Sequence, residues 1–339
     1  MTEHNRLQWL ALTREEPLDP RRRIVDAHHH LNDAEGSRYL LDDSIRDTRA
    51  GHNVTHTVFV ETMAGYRQEG PEALRPVGET EFVAAWARES EGRATRIAAI
   101  VSFADLTLGD ALDEVLEAHE IAGEGRFRGI RHPTAWDAHP GVPPGYMSPP
   151  PGLMTEEGFR HGIARLGERG YSFDAWIYHP QLPELAKLAQ AAEGTTIVLN
   201  HLGVPLNVGP YNDRDAVRSE WRSGMRQLAA CPNAVVKLGG IGMDSYLFRT
   251  GWSSRARPPG SDEVVEWWGD DIRWCIDTFG PSRCMFEANY PVDRDAIGYT
   301  VIWNAFQKIA AGYSGKEQDD LFAGTAARVY RIDLESQPS

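Results

Sequence analysis

Short runs dense in β-branched and aliphatic residues recur along the chain, at 24–28, 56–61, 96–103, 127–131, 172–178, 195–200, 234–238 and 284–288. Thr196, Ile197, Val198 and Leu199 show the type. Such a run lacks polar alternation, which suits a strand covered on both faces. Between the runs lie stretches with apolar residues three and four apart, such as 108–118 and 182–191. The second has Pro183 near its start and Gly194 just past its end, the asymmetry expected of a helix. Eight strand–helix units predict an α/β fold, a (β/α)8 TIM barrel. A doubly wound sheet is the alternative, but no GxGxxG or GxxxxGK[ST] follows any run. The Gly239-Gly240 pair after the seventh is too short for a phosphate loop.

The 339 residues exceed a barrel of about 250. The excess falls in three places: a polar lead-in over 1–23, a proline-rich stretch over 132–154, and a second long loop over 243–260. The last two follow strands four and seven, at the barrel end where active-site loops sit. No linker or internal repeat divides the chain, so it reads as one domain over 1–339, with the barrel over 24–332.

Composition narrows the partners. Lys and Arg number 35 against 49 Asp and Glu, a net charge of −14. With no basic surplus to neutralise phosphates, nucleic acid and anionic membranes are poor partners; a small molecule is the expected one, and a homo-oligomer is compatible. No secretory signal precedes residue 20 and no window approaches a membrane span. Cys231, Cys275 and Cys284 form no CxxC, which suits a reducing compartment and a cytoplasmic protein.

The strongest chemical signal is Asp26, Ala27, His28, His29 and His30 at the end of the first run. Residues two apart on a strand share a face, so His28 and His30 are expected to converge on one divalent ion. His179 and His201 end the fifth and sixth runs. A lone histidine there is more often structural, but four at one end of three parallel strands form a site. A carboxylate is expected at the end of strand eight, where the chain instead has Asn289, with Glu287 two before and Asp293 four after. Arg131 ends strand four and suits a substrate carboxylate, or equally a helix acid. Lys237 lies in an apolar strand, facing either lumen or helix layer. Trp136 and Tyr290 are expected as pocket walls. No cysteine or GxSxG serine offers a nucleophile.

In order along residues 24–332 stand DAHHHL, VFVE, GIRH, YHPQLPEL, NHLG, KLGG, CMFEANYPVD and GTAARVY. This set resembles the amidohydrolase superfamily, in the amidohydrolase 2 branch of barrel lactonases and related hydrolases. The resemblance implies His28, His30 and His179 as metal ligands, with zinc or manganese as the ion. It implies His201 as the residue that orients or deprotonates the attacking water, or binds the scissile carbonyl. Asn289 stands where many members have Asp, and an amide is neither a base nor a strong ligand. Because the branch includes lactonases that work without a metal, metal dependence stays open, and Asp293 or Glu61 could supply the missing carboxylate. The implied activity is hydrolysis of a small lactone by water. The alternatives are a metal-dependent decarboxylase of aromatic acids and a catalytically silent binding barrel.

Overall fold

Eight parallel strands run in sequence order around one sheet: β1 Arg23–His29, β2 Asn53–Val60, β3 Arg96–Ser102, β4 Phe127–Ile130, β5 Ser172–Ala175, β6 Ile197–Leu199, β7 Ala234–Leu238 and β8 Cys284–Phe286. All eight apolar runs are therefore strands, and the doubly wound alternative is excluded. The computed structural model describes residues 3–34 and 38–335. The seam between β8 and β1 is bridged just past the end of β8, where His30 N donates to the Tyr290 carbonyl (2.8 Å) and Asn289 N to the His28 carbonyl (3.0 Å). The result is a nearly closed TIM barrel.

Helices alternate with the strands and cover them: α1 Glu3–Leu10 precedes β1, then α2 Leu41–Thr48, α3 Val77–Ser90, α4 Leu112–Ala122, α5 Glu157–Glu168, α6 Leu182–Ala191, α7 Arg214–Ala229, α8 Ser261–Phe279 and α9 Tyr299–Ala310. Residues 1–23 are more than a polar lead-in. Their helix α1 docks on the rim, with Trp9 Nε1 donating to the Arg255 carbonyl (2.9 Å) and Arg6 paired with Asp295 at 3.1 Å. No helix among the described residues is long and apolar enough to cross a membrane.

One core lies between strands and helices, and a second fills the lumen with Val25, Val58, Val101, Val198, Val235 and Met285. The C-terminal segment enters this second core from the end where the strands begin. Arg128 Nε donates to the Tyr330 carbonyl (2.6 Å), and the Tyr330 hydroxyl donates to Asp174 Oδ2 (2.9 Å). The apolar filling stops above that level, and charged side chains take over.

Candidate active site

On β1, Asp26 lies opposite Thr57 and His29 opposite Phe59, so three steps on one strand face two on the other. This bulge inserts one residue and reverses the inward–outward phase. Strict alternation from the inward Val25 would aim His29 at the lumen. Instead His29 turns outward, its Nε2 3.0 Å from Thr57 Oγ1, and His28 and His30 turn inward. Asp26 serves as a staple: Oδ1 accepts from Ala288 N (2.9 Å) and Oδ2 from the Tyr299 hydroxyl (2.9 Å). Burial pushes its carboxyl up to about 7, against the pull of those hydrogen bonds.

His28 is packed against His30 and His201, with ring centroids 4.9 and 4.6 Å away. The residue that organises them is Glu287, wholly buried just after β8. Its Oε1 receives both Nδ1 (2.7 Å) and the backbone N–H (3.1 Å) of His201, and its Oε2 lies 2.9 Å from His28 Nδ1. Ligand atoms of His28, His201 and Glu287 lie within 4.8 Å of one another, and two imidazoles with a carboxylate are the donor set of a divalent metal site. Glu287 Oε2, buried without a well-aligned hydrogen bond, is the oxygen such an ion would satisfy. The three residues therefore fit an ion.

Two cations flank the same imidazole. Arg131 Nη1 is 3.3 Å from His28 Nε2, and Lys237 Nζ is 3.4 Å from His28 Nδ1. Burial first, then Lys237 and the neighbouring rings, hold His28 well below the usual histidine range, so it is neutral. Lys237 faces the lumen, paired with Asp174 at 2.8 Å. Arg131 is paired neither with a helix acid nor with open solvent. Its Nε donates to Glu61 Oε1 (2.7 Å) and its Nη2 to the Glu61 carbonyl. Burial opposes the charge, but Tyr146 and Glu61 outweigh it and raise the guanidinium above its ordinary value. Removing one partner of such a buried pair typically costs about 3–5 kcal/mol.

The cluster opens into a cavity of about 110 Å3 at the strands' C-terminal rim, walled by His30, Arg131, Tyr146, Trp176, His201 and Asn289, with Met243 and Tyr246 from the loop after β7. His30 Nδ1 donates to the Val60 carbonyl (2.8 Å), and its Nε2 stands 3.3 Å from Asn289 Oδ1. His201 and Asn289 both have positive φ, 53° and 52°. Such left-handed conformations cost non-glycine residues roughly 1–3 kcal/mol and cluster at functional sites. The Gly239-Gly240 pair makes room here: a Cβ on Gly240 would meet His201 Nδ1 at 2.3 Å, and one on Gly239 the Glu287 carbonyl at 2.1 Å.

Several expected site residues lie elsewhere. The β5 ladder ends at Ala175, so His179 falls in the turn His179–Gln181 and its ring lies against Tyr211, centroids 4.8 Å apart. There Leu206 N donates to its Nδ1 (3.3 Å), and Glu220 of α7 is 3.9 Å from Nε2. Burial lowers it to about 4. It does not join His28 and His30. Asp293 sits behind Asn289, accepting from Asn289 Nδ2 (2.8 Å) and Gly242 N (2.8 Å). Burial raises its carboxyl well above the ordinary range despite those bonds. It holds Asn289 and does not line the cavity. Tyr290 is turned into the core, its hydroxyl donating to the Ile297 carbonyl (2.6 Å), because its backbone bridges to β1. Trp136 lines a separate hollow in the loop after β4, and Trp176 takes the expected wall position. Glu287 was legible as a carboxylate two residues before Asn289, but not as the partner of His201 and His28.

An amidohydrolase family model matches residues 25–332. An uncharacterized protein of Sinorhizobium fredii is 30% identical over 323 residues, 91% of this chain and 98% of that protein. An L-fucono-1,5-lactonase of Burkholderia multivorans is 26% identical over 238 residues, 70% of this chain and 72% of that one. A crystal structure of an amidohydrolase from Burkholderia multivorans with bound zinc superimposes with a TM-score of 0.72 at 24% identity, over 91% of this chain and 99% of that chain. With the barrel and its rim of histidines and Glu287, these matches make the chain a member of the amidohydrolase family and an enzyme of hydrolase type.

Proposed function

We propose that this enzyme opens a small uncharged lactone, the ring ester of a sugar acid, by attack of water on the ring carbonyl. The observation that carries the reading is the His201–Glu287 pair beneath a cavity whose lining guanidinium is already neutralised. Glu287 accepts from His201 Nδ1, which leaves the Nε2 lone pair of the neutral ring toward the cavity. Nε2 takes a proton from water as the water oxygen bonds to the carbonyl carbon. The bond from that carbon to the ring oxygen then breaks, and His201 returns the proton to the departing alkoxide.

With His201 kept as the base, His28 and Glu287 Oε2 would hold a divalent ion beside it, and zinc, bound in the Burkholderia structure, is the ion we assign. When bound, it supplies Lewis-acid polarisation of the ring carbonyl. The Burkholderia lactonase, whose substrate is a neutral sugar lactone, supports the substrate class. Decarboxylation of an acid is disfavoured, because the charge of Arg131, the guanidinium lining the cavity, is already paired with Glu61.

A panel of aldonolactones, followed by acid release with and without chelator, tests the proposal. Ring opening above the spontaneous rate is the expected result. No acceleration with any lactone, in protein loaded with zinc or manganese, would overturn it.

A further inference from the structure

Behind the wall of the catalytic cavity stands a carboxyl group that the reaction does not use. Glu79, in the first turn of α3, is buried, as is Glu61 just past the end of β2. Glu79 Oε1 accepts from two backbone N–H groups of the turn after β2, Thr62 N and Ala64 N, both at 2.8 Å. Thr62 lines the catalytic cavity. The same turn is pressed onto the start of α3, where a Cβ on Gly78 would meet the Gly65 carbonyl at 2.5 Å and Arg67 N at 2.6 Å. One side-chain oxygen therefore sets a stretch of the cavity wall.

The remaining oxygens of this cluster are less well served. Glu79 Oε2, Glu61 Oε2 and the Tyr66 hydroxyl are all buried without a hydrogen-bond partner. Glu61 Oε1 already accepts from Arg131 Nε (2.7 Å) and from the Tyr146 hydroxyl. Arg131 is the cation that acts on both carboxyls. Arg67, in the turn itself, is directed to Glu81 (3.2 Å), and His119 of α4 to Thr80 Oγ1 (2.8 Å) and the Phe103 carbonyl (3.0 Å). Were both carboxyls ionised, one buried charge would lack a counter-ion, which is costly. Glu61, in contact with the guanidinium, keeps its charge, so the proton falls to Glu79. Burial first, then the Glu61 charge, push the Glu79 carboxyl up to about 8, against the pull of the two N–H groups and Arg131. That proton also turns Oε2 into a donor in a cluster short of donors.

We infer that Glu79 is a positioning residue of this active site, acting as a neutral carboxylic acid that holds the Thr62 wall and leaves Glu61 as the one anion for Arg131 and Tyr146. Ionised, it would repel Glu61 and compete for Arg131, disturbing three residues of the cavity wall at once. The kinetic arm of the test rests on the lactonase reading; the infrared arm does not. Glu79→Ala should lower kcat/KM at neutral pH about tenfold. Glu79→Gln, whose amide keeps the acceptor and puts a donor in place of the acid hydroxyl, should recover most of that loss. In the wild type kcat/KM should fall as the pH rises through about 8, and Glu79→Gln should lack that fall. A glutamine variant as impaired as the alanine one, or one that keeps the alkaline fall, would overturn the inference. The infrared difference spectrum of wild type against Glu79→Gln at neutral pH should show one carboxylic-acid carbonyl band lost in the variant; no lost band would also overturn it. A wild type that opens no lactone but shows the band defeats the proposed function and supports the neutral acid. If Glu79→Ala does not fold, Glu79→Gln and the infrared band decide.

Discussion

His201 and Glu287 are joined twice through one oxygen: Nδ1 and the backbone N–H of the histidine reach Glu287 Oε1 at 2.7 and 3.1 Å. Two donors from one residue fix both the ring's orientation and its tautomer, so the pair should act as a unit. His201→Asn is expected to lower kcat by at least ~10²-fold, the loss typical of a missing general base. Glu287→Gln should cost a similar factor, and the double variant little more than either alone. Steady-state kinetics on any lactone the wild type opens checks this. Full multiplication of the two losses would mean independent roles.

Metal content separates the residues that the chain pattern suggested from those that the barrel brings together. In zinc-loaded protein, His28→Ala and Glu287→Ala should lose the ion, and His179→Ala should retain it, by elemental analysis after gel filtration. Loss in His179→Ala with retention in Glu287→Ala would restore the His28, His30, His179 set.

Asn289 donates to a buried carboxylate, which makes its amide structural as well as a cavity wall. Asn289→Asp would place two acidic oxygens 2.8 Å apart where burial already resists charge on Asp293. The expected loss is ~2–3 kcal/mol in denaturant unfolding, the scale of a hydrogen bond to a charged group. Adding Asp293→Asn should recover most of it, and that coupling is what a double-mutant cycle reads.

Acid should destabilise the fold through histidines buried as neutral rings. His119 is lowered to about 4 by burial, held between Thr80 Oγ1 (2.8 Å) and the Phe103 carbonyl (3.0 Å). Its ordinary value is 6.5. Between those values the unfolded chain binds the extra proton, so stability rises with pH across that window. The contribution is complete above 6.5 and is lost as the pH falls to about 4, roughly 3 kcal/mol in all. Urea midpoints at pH 7, 5.5 and 4.5 should fall in that order, and His119→Gln should reduce the slope. An unchanged slope would remove His119 from the account.

The apolar runs and the residues between them determined the barrel. A run without polar alternation can only be covered on both faces, and eight of them separated by helical periods leave few ways to close. The same pattern placed His28, His30, His201 and Asn289 at strand ends, hence at one rim, because direction along a parallel strand is legible from order alone. What only the tertiary structure decided was azimuth. The bulge between Asp26 and His29 sets which histidines of the triplet turn inward, and a bulge depends on the register with β2, not on β1 itself. The early end of β5 sends His179 over the rim toward Tyr211. Glu287 and Lys237 look like misplaced charges in apolar strands until the lumen shows His28 between them. Arg131 suits a substrate carboxylate or a helix acid by residue type, and its partner here is an acid that β2 lays beside it, Glu61. Local pattern fixes period and order along a chain, whereas the partner of a buried charge is set by strands some 70 to 260 residues away, as in Arg131 with Glu61 and His28 with Glu287.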